Sequence, residues 1–363
     1  MKTINLVGMT SGEIEAAIVS LDEPPYRARQ IYAGIYRRLW RNWDQFTNLS
    51  RILREKLREQ FSITYPMTVK TFDSRDGTRR YLFDVGPDER IEAVFIPEED
   101  RDTICLSTQV GCAMACLFCA TGQLPLKRNL SAGEIVGQVL ALAIDRGVTA
   151  KRMNIVIMGM GEPFNNYANV MQAFRLMTDG EGMAISPRRI TLSTSGIVPG
   201  IERMAAEPIR PNLAISLNAT SDAVRDQLMP VNRRWNIATL IDTCRKFSLA
   251  TRRRVTFEYV LIGNINDSPE DARRLVQLLG PLKHKVNLIP LNTCSSLMGL
   301  MGVDKFELNP PLPERVADFA RILTDYRITV NVRKPRGEDI SAACGMLAGG
   351  LSIQTPDEGS PRQ

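Results

Sequence analysis

The chain has 363 residues, 44% hydrophobic and 24% charged, an ordinary balance for a globular protein that buries one large core or two smaller ones. No uninterrupted apolar run approaches the ~20 residues of a membrane span, and no basic, apolar leader opens the chain, so a cytoplasmic protein without a membrane partner is expected. The net charge of +6 and the pI near 9.0 suit a polyanionic partner without requiring one.

Residues 1–65 read as a helical accessory domain. Thr10 and Glu13 have capping-box spacing ahead of IEAAIVSL, PPYRARQIYAGIYRRLW follows a Pro-Pro start, and SRILREKLREQF follows a Ser cap. This segment carries ten Lys/Arg against seven Asp/Glu. Its Arg27, Arg37, Arg38, Arg41, Arg51, Arg54 and Arg58 form either solvated helix faces or an RNA-facing surface. Residues 66–100 hold MTVKTFD, RRYLFDV and RIEAVFI, separated by SRDGT and GPDE, and predict a small antiparallel β meander.

From 101 to 350 the rhythm becomes strand, loop, helix. The runs TICLS, MNIVIM, RRITLS, NLAISL, RVTFEYV and KVNLIP alternate with helix-like segments such as SAGEIVGQVLALAIDR and SPEDARRLVQLL. Six such units predict parallel strands joined by right-handed crossovers, with ITVNVR available as a seventh strand and too few units for a closed eight-stranded barrel. The expected fold class is α/β: a partial (β/α)6 barrel behind the helical domain and the meander. The tail after 351, SIQTPDEGSPRQ, lacks apolar content and is expected to be disordered.

In a parallel α/β architecture the chemistry gathers where the strands end. Here the six runs are followed by a cysteine cluster, GMGEP, STSG, SLNA, EY and LN, which are expected to line one mouth. An odd count of seven cysteines in a reducing compartment argues for thiolate chemistry or metal binding rather than a disulfide framework. Cys112, Cys116 and Cys119 in GCAMACLFCATG put three soft ligands on one tight loop flanked by Gly111 and Gly122. Two readings follow. One is a [4Fe–4S] cluster with one iron left open to a small molecule; the other is a zinc site whose fourth ligand is Cys105 or Cys344, since the sole histidine, His284, lies far off.

Gly159, Gly161 and Glu162 offer close backbone approach and a carboxylate able to accept from an ammonium group. Ser193, Ser216, Asn218 and Asn292 supply neutral hydrogen-bonding groups suited to a ribose and a carboxylate, though each is also a candidate helix cap. Cys244, in NIATLIDTCRKF, reads as a buried apolar residue. Cys344 has Arg333, Lys334 and Arg336 nearby to favour its thiolate, yet a free cysteine is also a common packing residue.

The segments CLSTQVGCAMACLFCATG, KRNLSAGEI, GMGEP, TLSTSGIVP, NLIPLN and RKPRGEDISAACG resemble the RlmN/Cfr family of radical-SAM RNA adenine methyltransferases. The resemblance implies that Cys112, Cys116 and Cys119 hold a [4Fe–4S] cluster whose open iron is chelated by S-adenosylmethionine, used twice per turnover. It implies cosubstrate contacts from Gly161, Glu162, Ser193, Ser216, Leu217, Asn218 and Asn292. Cys344 then matches the cysteine that is methylated, Cys105 the cysteine that releases the RNA by forming a disulfide with it, and Glu92 the proton acceptor. The implied substrates are adenosine in 23S rRNA at the peptidyl-transferase centre and in tRNA just 3′ of the anticodon, with a flavodoxin-type electron donor and a monomeric enzyme. GMGEP, NLIP and the RK-x-RG turn resemble RlmN-like members acting on C2 more than Cfr-like members acting on C8. A non-catalytic, zinc-stabilised RNA-binding protein is the reading from another class. The chain departs from the family at Asn218, where SLHA is usual, and at TCSSLMGLMG, where an NPF-like loop is common; Cys294 in that loop has no assigned role.

Overall fold

The computed structural model describes residues 3–292 and 308–350. The unusual 293–302 loop with Cys294, and the tail expected to be disordered, lie outside the described residues. The strands in chain order are β1 (Ile4–Asn5), β2 (Phe61–Ser62), β3 (Met67–Asp73), β4 (Arg79–Gly86), β5 (Glu89–Pro97), β6 (Asp102–Cys105), β7 (Gln109–Val110), β8 (Arg128–Asn129), β9 (Met153–Ile157), β10 (Ile190–Thr194), β11 (Asn212–Ser216), β12 (Val255–Leu261), β13 (His284–Pro290) and β14 (Val330–Val332). The helices are α1 (Ser11–Val19), α2 (Tyr26–Tyr36), α3 (Arg51–Gln60), α4 (Ala132–Arg146), α5 (Tyr167–Thr178), α6 (Val198–Ala206), α7 (Asp222–Leu228), α8 (Ile237–Thr251), α9 (Pro269–Leu279) and α10 (Pro313–Asp325). None of the described helices is long and apolar enough to cross a membrane.

Local chemistry starts these helices where the sequence says it should. Thr10 and Glu13 form a reciprocal capping box on α1, Ser50 caps α3 through the Leu53 N–H, and Ser131 with Glu134 boxes α4. Gly147 ends α4 at φ +63°. The segment that carries α1 to α3 is tied at its ends by the parallel pair of β1 and β2. It docks on the rest of the chain through a close backbone approach: a Cβ on Gly133 would meet the Val7 carbonyl oxygen at 2.3 Å, so only glycine lets α4 come this near. Tyr32 adds a hydrogen bond to Asp179 at 2.9 Å, and one continuous apolar core runs from Ile14 and Tyr32 to Ile155 and Phe257.

The main sheet has ten strands in the order β14-β13-β12-β11-β10-β9-β6-β5-β4-β3. From β6 to β14 all neighbours run parallel, so seven parallel strands make the open barrel, the last of them inside ITVNVR. The meander of β3, β4 and β5 continues this sheet, because β5 pairs antiparallel with β6 and sets Val94 opposite Cys105. Alternation on β9 and β10 sends Ile155, Ile190 and Leu192 to the helices and Val156 and Ser193 inward. Inside the barrel Ser216, Glu258, Asn287 and Asn331 fall in register across β11 to β14, where Asn287 donates to Glu258 at 2.8 Å and accepts from Asn331 at 3.1 Å.

Candidate active site

The hairpin of β7 and β8 is a stalk for the loop that carries Cys112, Cys116 and Cys119. Gly111, at φ +78°, lets that loop close: a Cβ there would sit 2.0 Å from the Pro125 carbonyl oxygen. Gly122 does the same against Cys116, whose carbonyl oxygen would lie 2.8 Å from an added Cβ. The loop is anchored on both flanks. Leu117 N–H donates to the Leu228 carbonyl at 2.9 Å, Ala120 N–H to the Gly345 carbonyl at 2.7 Å, and Thr121 Oγ1 to the Leu347 carbonyl at 2.6 Å. The last two bonds bring the Cys344 segment against the cysteine loop.

The three loop cysteines open on a cavity of about 170 Å³ at the C-terminal ends of the parallel strands. Gly161, Glu162, Ser193, Ser216, Asn218, Asn292 and Cys344 also line it. A neighbouring cavity of about 100 Å³ is lined by Cys105 and shares Cys119, Asn292, Arg333 and Cys344 with the first. Cys105 and Cys344 therefore face one space beside the cysteine loop. Burial pushes the Cys105 thiol up to about 12, the nearby Cys344 adds to this, and the Met158 N–H and Arg333 oppose it. Cys344 is exposed as a residue, yet protein atoms crowd its sulfur, so desolvation raises its pKa while Arg333 pulls it down. Cys112 is pushed up to about 12 by burial, and Cys116 and Cys119 are raised by the same cause.

Glu162 lines the cavity, but its carboxylate already serves the backbone: one oxygen accepts from Ser195 N–H and Oγ, both at 2.8 Å, and the other from Phe164 N–H at 3.1 Å. Asn218 stands at φ +57°, a conformation asparagine tolerates. Its Oδ1 accepts from Val260 N–H at 2.8 Å and its carbonyl from Asn266 at 2.7 Å, which locks the end of β11 to β12. Asn292 Nδ2 donates to the Cys344 carbonyl at 3.3 Å. Leu217 turns its side chain into the core, and its N–H donates to the Glu258 carbonyl at 3.0 Å.

Glu92 is fully buried on β5 and is not among the residues that line either cavity. Its carboxylate is engaged by Arg80 and by the N–H groups of Ala348 and Gly349, at 2.9 and 3.2 Å. It thereby holds the chain just beyond Cys344. Cys244 is buried in α8, as its helical pattern predicts. Glu258, in the EY segment expected at the mouth, is a cavity residue to which the sequence assigned no role. Burial raises its pKa and Arg333 opposes the shift. Of the three cations before Cys344, Arg336 is held by the Pro97 carbonyl at 2.8 Å and by Asp76, while Arg333 lines both cavities.

The profile of the Radical SAM superfamily matches residues 106–276, and that of the ribosomal RNA large subunit methyltransferase N-terminal domain matches residues 4–63. The chain is 44% identical over 360 residues to the dual-specificity RNA methyltransferase RlmN of Syntrophotalea carbinolica, across 99% of this chain and 93% of that one. It is 45% identical over 359 residues to the RlmN of Cereibacter sphaeroides, across 95% and 89%. The crystal structure of a radical SAM methyltransferase from Sphaerobacter thermophilus superposes with a TM-score of 0.89 at 44% identity, covering 95% of this chain and 99% of that one. Likeness of this depth, extending through the helical segment, the meander and the cysteine loop alike, leads to one conclusion: the chain belongs to the RlmN family of radical-SAM RNA methyltransferases.

Proposed function

We propose that this enzyme methylates C2 of adenosine in 23S rRNA and in tRNA. The reading is carried by one observation: the cysteine loop, Cys344 and Cys105 meet in two adjoining cavities at the strand ends. C2 of adenine is an electron-poor amidine carbon and cannot attack a sulfonium methyl group as an amine does. A protein-borne one-carbon unit solves that problem.

The donor set fits a [4Fe–4S] cluster. No three His, Cys, Asp or Glu side chains among the described residues converge on a single metal ion. A tetrahedral zinc ion draws its sulfurs within about 4 Å of one another, whereas cluster thiolates bind separate irons. Cys112, Cys116 and Cys119, spread around one cavity, suit the second arrangement. When bound, the cluster with S-adenosylmethionine supplies an electron and a 5′-deoxyadenosyl radical able to take hydrogen from a methyl group.

The chain's own residues do the rest. Cys344 thiolate accepts a methyl group from one S-adenosylmethionine and presents the carbon, after hydrogen-atom loss to a second molecule, to adenine; the adduct radical so formed gives up one electron, which the cluster would take back. Glu92 accepts the C2 proton, a role that requires its carboxylate to leave Arg80 and the Ala348 and Gly349 N–H groups. Cys105 then attacks the Cys344 sulfur: an S–S bond forms, the S–C bond breaks, and the departing carbon is protonated as the new methyl group. Gly161, Ser193, Ser216, Asn218 and Asn292 line the space for the cosubstrate, with Glu162 and Leu217 shaping its walls. A flavodoxin-type protein delivers the electrons, and the enzyme works as a monomer.

Anaerobic reconstitution with iron and sulfide tests this reading. It should give a brown protein, and nucleoside mass spectrometry of ribosomal and transfer RNA from a deletion strain should show 2-methyladenosine only when the gene is restored. A colourless protein that keeps stoichiometric zinc, or 8-methyladenosine in the RNA, would overturn it.

RNA docking involves the helical segment. Arg51 pairs with Glu55 and Arg58 with Asp44, while Arg37, Arg38 and Arg41 are exposed and form no ion pair among the described residues. Arg253 is committed to the carbonyls of Arg210 and Pro211 at 2.7 and 3.1 Å, leaving Arg252 and Arg254 exposed. Replacing Arg37, Arg38 and Arg41 by Gln should flatten the log–log salt dependence of RNA binding by roughly 2 to 3, because each lost phosphate contact releases one fewer set of counterions. An unchanged slope would make these three residues ordinary solvated side chains.

A further inference from the structure

Arg225, on α7, is the largest fully buried side chain among the described residues. Its guanidinium donates to neutral oxygens: the Leu217 carbonyl at 2.9 Å, Asn232 Oδ1 at 3.0 Å, and the Ser195 and Ser216 carbonyls at 2.7 and 3.1 Å. These bonds satisfy its N–H groups but not its charge. A buried cation normally sits against an anion, because desolvation costs several kcal/mol that hydrogen bonds to neutral groups only partly offset (about 1 kcal/mol each). The carboxylates of Asp222 and Asp226 accept from Nδ2 of that same Asn232, at 3.0 and 2.7 Å, and Arg225 forms no ion pair among the described residues.

On its other side is the cysteine loop. The Leu228 carbonyl, at the end of the same helix, holds Leu117 N–H at 2.9 Å, and Cys116 packs against the apolar cluster of Leu228, Met229, Ile262 and Leu291. Through the Ser195 and Ser216 carbonyls Arg225 also holds two residues that line the same cavity as Cys112, Cys116 and Cys119. We propose that Arg225 is the buried counter-charge of the iron–sulfur cluster, raising its reduction potential while its hydrogen bonds to Ser195, Ser216 and Leu217 hold the cosubstrate floor in place. The proposal rests on the reading of Cys112, Cys116 and Cys119 as cluster ligands.

The sign follows from charge counting. A [4Fe–4S]2+ core on three thiolates carries one net negative charge, and reduction makes it two. A nearby cation stabilises the reduced state more, and in a buried setting solvent screens this little. Burial lowers the Arg225 pKa to about 10, which keeps it charged at neutral pH. The same side chain pins the carbonyls that end β10 and β11, so the charge beside the cluster and the position of Ser216 are set together.

The test is an EPR-monitored redox titration of the reconstituted enzyme, wild type against Arg225→Gln and Asp226→Asn. Arg225→Gln removes the cation. It should lower the ratio of reduced to oxidised cluster about tenfold at a fixed poise, a shift of about 59 mV to more negative potential for a one-electron couple. Asp226→Asn removes an opposing anion while keeping an oxygen for Asn232, so its potential should move the other way by a smaller amount. If Arg225→Gln does not retain its cluster, Asp226→Asn decides alone. Wild-type potentials in every variant that holds a cluster overturn the proposal. A wild-type protein that takes up no [4Fe–4S] cluster overturns the functional reading instead.

Discussion

Cys344→Ala is expected to take up its full complement of iron and sulfide and still form neither methylcysteine nor an RNA adduct, so turnover falls to background. The substitution removes the proposed methyl acceptor while leaving the three loop thiols and the Ala120–Gly345 and Thr121–Leu347 bonds in place. Cys105→Ala should fail at a later step. Its cavity neighbour Cys344 still accepts a methyl group and joins to adenine, but no second sulfur attacks the carrier sulfur, so RNA stays covalently attached. A denaturing gel separates the cases: a slow, nuclease-sensitive species for Cys105→Ala alone. Normal turnover in both variants, or loss of the cluster in both, would refute these roles.

Arg80→Met is expected to lower stability by about 3–5 kcal/mol, the usual consequence of stripping one partner from a buried ion pair. Both members of the Arg80–Glu92 pair are buried, and Arg80 also lies over the Phe72 ring, 4.0 Å from its centroid. The effect reaches the site, because Glu92 holds the Ala348 and Gly349 N–H groups a few residues beyond Cys344. Adding Glu92→Leu to Arg80→Met should recover part of the loss, since no uncompensated charge remains and only two N–H groups are left unpaired. Urea unfolding midpoints measure this. A double variant as unstable as the sum of the two singles would show that the pair is not coupled.

Much of the molecule was legible in the chain because short-range chemistry specifies it. Thr10 with Glu13 and Ser131 with Glu134 announce helix starts through side-chain bonds spanning three residues. The six apolar runs are strands: burial alternates with the strand period on β9 and β10 and is nearly continuous on β11, β12 and β13, as in parallel strands covered on both faces. The spacing of Cys112, Cys116 and Cys119 places three sulfurs on one loop whatever surrounds it, and the small and polar residues after each run reach a common mouth because parallel strands share one direction.

Tertiary structure alone decided the rest. The meander reads as an independent unit, but strand pairing is a long-range choice of partner, and β5 takes β6. Glu92 and Glu258 both stand in strand-like runs with apolar neighbours. The register of the sheet puts Glu258 in the cavity opposite Ser216 and Asn287, and Glu92 against Arg80. Glu162 has the backbone of Ser195, from the next strand end, to satisfy its carboxylate. Arg225 looks like any solvated helix residue in DAVRDQL until α7 is laid on β10 and β11. Sequence alone determined which groups this protein owns and which helices and strands they sit on, because those follow from bonds and periodicities within a few residues. Which charges are buried, and what they face, depended on packing between segments far apart in the chain, where desolvation and register outweigh local preference.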